Sequence, residues 1–425
     1  MTEKNVLSFI HISDIHFVKS SGDPYDIDQE LRQAMLYDLE NCAKSLLNNI
    51  NGILVCGDLA FSGKAEEYNK ANEFLKNVLQ IFDMKQNDIY CVVGNHDVDQ
   101  SVVRDSHVLE LVQDKLALTK DASQLDYIIR KIQNDSVINV EGGLLYKPIE
   151  TYNRYFHSMS CDYTVSKPNW STVLPLNDVY NLIIYGMNSV LTSNYKDHLD
   201  KSGKRYEDGT ERKMSINRGQ IPKVSKNSIY LSLCHHPPEC WNDDSLVNMM
   251  DSKVKIQLYG HKHQQNIDVN EQRVRISSGA LQPERGDDWI PRYNWLEIWL
   301  ENNDLCVKIY PRIYNDIDGR FYKDRDSCDK EYNFQLCRLK LSSPVNEHDN
   351  MKSKQEENEI RMTTITTKEI VYLFSILSDR DKNLLLRKFP MISYEDGQEI
   401  DDLLRQLEMH NIEEDFLTKL RNKGC

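Results

Sequence analysis

Five short runs of this chain combine residue types that bind divalent cations: Ser13-Asp14-Ile15-His16, Gly57-Asp58, Gly94-Asn95-His96-Asp97, His235-His236-Pro237-Pro238 and Gly260-His261-Lys262-His263. Carboxylate, imidazole and amide oxygen suit borderline or hard ions such as Mn²⁺, Fe²⁺, Co²⁺ or Zn²⁺, and the absence of thiolate speaks against structural zinc or an iron–sulfur cluster. One Asp after a strand is ordinarily a turn or a helix cap, and one His is ordinarily a satisfied polar residue. Five such runs, each closing an apolar segment, are not explained that way. Asp14, His16, Asp58, Asn95, His235, His261 and His263 are also too many for one ion. They fill two adjacent sites if one carboxylate bridges, as in two-metal hydrolases whose ions lie about 3.5–4 Å apart. The chemistry such a pair serves is attack on an anionic ester at neutral pH. Water on a divalent ion falls in pKa from about 15.7 to about 7, and a hydroxide bridging two ions is favoured further.

Strands must deliver these residues. Val6–Ile12, Ile53–Cys56, Ile89–Val93, Ile229–Cys234 and Lys255–Tyr259 read as buried strands ending at the five runs, and Leu182–Gly186, Val274–Ser277, Trp295–Leu300 and Leu305–Tyr310 read as further strands. Gln29–Leu47 and Lys64–Phe82 place apolar residues three and four apart and predict helices. The early β–α–β–α–β order predicts an α/β sheet with helices outside it, and the later, closely spaced strands predict a second β-layer. In such sheets chemistry gathers where strands end. From Val98 to Asn181 the pattern loosens into a cap-like insertion; this insertion and the loop Lys196–Lys226, both within residues 98–226, are expected to form the rim. Lys196–Lys226, with nine Lys/Arg against five Asp/Glu, reads first as a solvated loop and second as a phosphate-facing patch.

The totals narrow the function. With 52 Lys and Arg against 66 Asp and Glu the net charge is −14, so a broad basic face for duplex nucleic acid is not indicated. The N-terminus carries an acid and leads into an apolar run too short for a secretory signal, and no stretch approaches the ~20 apolar residues of a membrane span. Ten cysteines form no C-x-x-C pair, which predicts free thiols in a reduced compartment. A cytoplasmic protein without membrane association is expected. After Leu341 the composition turns charged and poor in apolar residues, predicting a linker over 342–361 that separates a body at 1–341 from a helical interaction domain at 362–425. Thr366-Thr367-Lys368-Glu369, Ser378-Asp379-Arg380-Asp381 and Asn411-Ile412-Glu413-Glu414 each resemble an opening helix cap.

Read in order, SDIH, CGDL, GNHD, CHHPP and GHKH resemble the signature of the calcineurin-like metallophosphoesterases: D-x-H, G-D, G-N-H-D/E, a His after a strand, and G-H-x-H. The likeness covers roughly the first 340 residues. It implies an α/β fold of two packed β-sheets flanked by helices, a four-layer α/β/β/α sandwich, with the small all-α domain appended. It implies one ion held by Asp14, His16, Asp58 and His263 and another by Asp58, Asn95, His235 and His261, with Asp58 bridging. In the fourth motif it favours His235 over His236, which becomes a loop or substrate-facing residue. Manganese is the first expectation, with iron, zinc, cobalt and nickel compatible.

His96, adjacent to Asn95, matches the family's catalytic histidine and is expected to protonate the leaving oxygen. Asp97 reads either as the carboxylate orienting that ring or as a cap on the next segment. A His in the first motif accompanies phosphodiesterases in the family, so the expected enzyme is a phosphoric ester hydrolase cleaving a phosphodiester, a nucleotide or similar. Two alternatives are a DNA or RNA nuclease and a partner-binding scaffold. The C-terminal helices resemble adaptor domains attached to effectors in bacterial defence systems, implying self-association or a protein partner.

Overall fold

The computed structural model of the chain describes residues 5–18, 28–47, 49–134, 143–197, 213–282, 290–329 and 332–341, together with 370, 374, 382, 385–392, 403–404, 406–407 and 412–421. The chain divides into two compact units, Met1–Ser342 and Ser343–Cys425. In the first unit the elements run β1 (Leu7–Ile12), α1 (Gln29–Asp38), β2 (Gly52–Val55), α2 (Ala65–Ile81), β3 (Ile89–Cys91), α3 (His107–Ala117), α4 (Ala122–Asn134), α5 (Glu150–Phe156), β4 (Trp170–Pro175) and β5 (Asn181–Gly186). They continue through β6 (Ser228–Cys234), α6 (Ser245–Lys253), β7 (Ile256–Tyr259), β8 (Asn266–Val269), β9 (Val274–Ser277), β10 (Arg292–Glu301), β11 (Asp304–Asn315), β12 (Arg320–Lys323) and β13 (Gln335–Lys340).

Two sheets result. The first has the order β12-β11-β10-β1-β2-β3, with β13 also paired to β11. β1, β2 and β3 are parallel, connected through the helices α1 and α2, while β10 lies antiparallel to β1 with Ile10 opposite Trp295. β1 sits in the middle of this sheet and every one of its residues is buried, which is why it reads as a mostly apolar run, Ser8 and His11 apart. The second sheet has the order β4-β5-β6-β7-β9-β8, with β5, β6, β7 and β9 parallel. Leu182, Ile184, Leu231, Leu233, Ile256 and Leu258 from its inner face share one core with Phe9, Ile12, Leu54 and Val55 of the first sheet. Its outer face, with Ile183, Tyr185, Tyr230 and Tyr259, is covered by Leu246 and Met250 of α6 and by Trp241. Met35 of α1 and Tyr68, Leu75 and Val78 of α2 pack on the first sheet, completing the four-layer α/β/β/α arrangement.

The helix expected over Gln29–Leu47 forms through Leu46, with a π-helical segment at Leu39–Ala43 between α1 and a last α-helical turn at Lys44–Leu46. At that junction Asp38 accepts from Tyr293 Oη (2.5 Å), Arg312 Nε (2.9 Å) and Arg312 Nη2 (2.5 Å), all beneath the surface. A buried carboxylate so fully paired ties the helix to β10 and β11. The stretch from Val98 onward is bonded into the body. Tyr152 Oη donates to the Cys91 carbonyl at the end of β3 (2.8 Å), and Gln113 Nε2 donates to the Leu191 carbonyl (3.1 Å). Residues 98–226 also contain β4 and β5, an edge hairpin of the second sheet, so the insertion is only part of that range. Of the basic loop, residues 198–212 lie outside the described residues. The nine described cysteines are free, and among the described residues no helix is long and apolar enough to cross a membrane.

In the Ser343–Cys425 unit the described residues include α7 (Glu413–Arg421) and a core of its own, with Ile370, Phe374, Leu385, Phe389, Leu403, Leu407 and Phe416 buried together. The linker expected at 342–361 lies outside the described residues.

Candidate metal centre

The C-terminal ends of β1, β2 and β3 meet those of β6 and β7, and each strand leaves its sheet by a tight turn. Asp14, His16, Asp58, His261 and His263 all have φ between 51° and 70°. Left-handed backbone costs a side-chain-bearing residue about 1–3 kcal/mol, and it persists where surroundings over-determine it. Those surroundings are hydrogen bonds between the turns. Asp14 N–H donates to the Gly57 carbonyl (3.1 Å), Ile15 and His16 N–H donate to the Asp58 carbonyl (2.9 and 3.0 Å), and Gly260 N–H donates to the His235 carbonyl (3.1 Å). The glycine of GNHD answers to contact rather than to torsion: a Cβ on Gly94 would sit 2.1 Å from Asp58 Oδ1.

On this frame the predicted ligands converge. Asn95 Oδ1 lies 2.8 Å from His235 Nε2 and 3.0 Å from His261 Nδ1, and His235 Nε2 lies 3.2 Å from Asp58 Oδ2. Asp14 Oδ1 is 3.4 Å from His263 Nε2 and 4.0 Å from His16 Nε2, and His16 Nε2 is also 4.0 Å from Asp58 Oδ2. Asp58 stands at the centre. Its Oδ1 accepts the His96 N–H (2.8 Å), leaving Oδ2 turned toward both His16 and His235. His235 Nδ1 donates to the Cys56 carbonyl (2.8 Å), an acceptor only, so Nε2 offers its lone pair to the centre. Lone pairs of a carboxylate, an amide and an imidazole thus face one another, and a positive charge must sit among them.

Protons are one source of that charge. Burial opposes it, yet Asp58 and then Asp14 raise His235 to about 9. Asp14, against the cost of its burial, is held down to about 2 by His263 and His235. His16 is pushed down to about 4 by burial, which outweighs Asp58 beside it. A divalent cation competes for the same electron pairs, and the donor set of carboxylate, amide oxygen and imidazole fits such an ion. Groups of three ligand atoms within 4.8 Å of one another occur four times here: Asp14, His16 and His263; Asp14, Asp58 and His235; His16, Asp58 and His96; and His235, His236 and His261.

The ring of His96 stands edge-on to His16 at 4.6 Å between centroids, beside the ligands. Its Nδ1 donates to the Phe61 carbonyl (3.0 Å), so Asp97 is not what orients it. Asp97 is buried and accepts from Asp58 N–H, Gly94 N–H, Ala60 N–H and Tyr68 Oη, each at 2.9 Å. It buckles the GD turn to the GNHD turn. Burial first, then the Asp58 carboxylate, raises Asp97 to about 6 in spite of these donors. His236 is not exposed to a substrate either: it is fully buried, its Nδ1 lies 2.9 Å from Ser189 Oγ, and its ring stacks obliquely on His261 at 4.3 Å. Sequence reading passed over Phe61, Tyr68 and Ser189. Tyr68 offered only its place on the buried stripe of α2, and Ser189 offered no signal.

The fold and this cluster define a metallophosphoesterase. Residues 7–265 match the calcineurin-like phosphoesterase family, and the chain belongs to it. A curated relative is an uncharacterized metallophosphoesterase-like protein, YydB, of Bacillus subtilis (strain 168), 22% identical over an alignment of 317 residues that covers 71% of this chain. The match spans 59% of that relative's length. Among solved structures the chain is similar to Chaetomium thermophilum Vps29, with 8% identity, a TM-score of 0.31, and coverage of 79% of this chain and 98% of that one. It is similar also to a putative 5'-nucleotidase from Staphylococcus aureus, with 11% identity, a TM-score of 0.33, and coverage of 83% and 58%.

Proposed function

We propose that the Met1–Ser342 unit is a phosphodiesterase using two divalent ions, manganese foremost. The observation that carries this reading is the convergence of Asn95 Oδ1, His235 Nε2 and His261 Nδ1, and of Asp14 Oδ1, His16 Nε2 and His263 Nε2, about the carboxylate of Asp58. Asp14, His16, Asp58 and His263 would hold one ion, and Asp58, Asn95, His235 and His261 the other. When bound, two such ions neutralise phosphoryl charge and acidify a water that serves as nucleophile.

The residues of the chain do the rest. Asp58 would serve both sites, and the acceptance of the His96 N–H by its Oδ1, which leaves Oδ2 free of that bond, supports this role. Cys56 fixes the His235 tautomer that presents Nε2. His96 is the general acid. With Nδ1–H held by the Phe61 carbonyl, the neutral ring keeps its lone pair at Nε2; as an imidazolium it delivers the Nε2 proton to the departing oxygen and returns to that same tautomer. Position next to His16 and direct coupling to Asp58 through its backbone N–H support this role. The diester preference rests on His16, the first-motif histidine.

The test is turnover of bis-(p-nitrophenyl) phosphate against p-nitrophenyl phosphate by Mn²⁺-loaded protein with its metal counted by mass spectrometry. Diester cleavage in clear excess is expected. Faster monoester cleavage would replace the substrate class, and absence of turnover at two bound ions would make the chain a binding scaffold.

A further inference from the structure

Phe61 is an anomaly beside this centre: 38% of its surface is exposed, although it belongs to the tightly bonded GD turn. Scattered exposed apolar residues need no explanation, but this one is neither scattered nor loose. Its ring centroid lies 5.2 Å from that of His96 at a 35° tilt, and 6.2 Å from that of His16. The three rings form one wall, with His16 innermost, its side chain 9% exposed, and Phe61 at the rim.

The backbone on both sides is pinned. Ala60 N–H donates to Asp97, Phe61 N–H donates to the Phe17 carbonyl (3.1 Å), and Ser62 donates through N–H and Oγ to Glu67 (3.0 and 2.6 Å). Gly63, at φ +70°, closes the turn where a Cβ would strike the Asp97 carbonyl at 2.7 Å. A flat apolar surface is therefore held rigid at the mouth, on the side of the residue that protonates the leaving oxygen. Rigid exposed aromatics are what planar ligands stack upon, and such a face pays little ordering entropy on binding.

We infer that Phe61 is a stacking platform that selects a phosphodiester whose leaving side carries a planar ring, a nucleobase or an aryl group. The inference rests on the phosphodiesterase reading above and narrows its substrate.

The experiment compares three diesters with the Mn²⁺-loaded full chain: a dinucleoside monophosphate, a phenyl ester of a nucleotide, and a bis-glycerol phosphate with no ring. In the wild type the ring-bearing diesters should have the higher kcat/KM. Stacking on an aromatic side chain corresponds to roughly 5–100-fold in affinity, so Phe61→Leu should reduce the ratio of ring-bearing to ring-free kcat/KM by that order, chiefly through KM. Phe61→Trp should retain it. Calorimetry of a nucleoside monophosphate against glycerol phosphate should show the same selectivity lost in Phe61→Leu and kept in Phe61→Trp. A fall confined to the dinucleoside assigns the platform to a base, and a fall on both ring-bearing esters assigns it to any planar group. An unchanged ratio in Phe61→Leu, or its loss in Phe61→Trp with metal content intact, overturns the inference. If the wild type cleaves none of the three, the phosphodiesterase reading fails, and the calorimetric comparison decides Phe61 by itself.

Discussion

Asp58 is asked to do three things: its Oδ1 holds the backbone of His96, its Oδ2 faces His16 and His235, and its own N–H is held by Asp97. Its buried carboxyl is drawn well below the usual range, against the cost of burial, by His235 foremost. Asp58→Asn should therefore remove turnover and bound metal together, and lower metal content more than His263→Ala, which removes one ligand from one site. Metal analysis by mass spectrometry checks this, and full stoichiometry in Asp58→Asn would refute the bridge. His96 lies outside that ligand count. His96→Ala should keep both ions and lose about 10²–10⁴ in rate on a diester with a poor leaving group. The loss should be smaller when the leaving group is p-nitrophenolate, which departs without a proton. Equal losses on both substrates would mean that the ring positions phosphate instead.

At the scale of elements, β1 itself carries a buried histidine. His11 is buried against β10, its Nδ1 accepting from Asn294 Nδ2 at 3.3 Å, while its Nε2 is buried without a hydrogen-bond partner. Burial pushes its pKa down to about 3, with Asp14 pulling weakly the other way. The folded value lies below the unfolded one, near 6.5, so the unfolded chain takes the proton first. The contribution of His11 to stability is thus complete above about pH 6.5 and drains away as pH falls toward 3, with an upper bound of roughly 5 kcal/mol. Urea midpoints measured from pH 7 to pH 4 should fall less steeply in His11→Leu than in the wild type. Parallel slopes would place the acid sensitivity in other groups. The constant loss of the Asn294 contact in the variant shifts the whole curve and leaves its slope untouched.

At the scale of the molecule, the chain is two units with separate cores, and every proposed ligand belongs to the first. The Ser343–Cys425 unit is near the lower limit of what an apolar core stabilises unaided, and we propose that it associates with a second copy or another protein. Ending the chain after Leu341 should leave metal content and turnover of a small diester within about twofold, while changing oligomeric size or partner capture. Light scattering and the diester assay on both lengths test this. A shortened chain that is folded and metal-loaded but inactive would show that the C-terminal unit completes the active site.

The five ligand-bearing motifs were legible because the strands before them are buried and therefore mostly apolar, so that Asp14, Asp58, Asn95, His235 and His261 stand out where each run stops. The strands β4, β8, β12 and β13 were not legible: they lie toward the margins of their sheets, and the burial in β8, exposed or half-exposed throughout, gives no apolar run to read. Residue types and order alone determined the chemistry on offer, carboxylates, imidazoles and an amide suited to divalent cations. Only the tertiary structure decided how each is used. That Cys56 and Phe61 set the tautomers of His235 and His96, that Asp97 fastens two turns together, that His236 lies buried and that Phe61 reaches the rim all depend on backbone carbonyls and approaches between residues distant in the chain, and no local pattern of side chains encodes those.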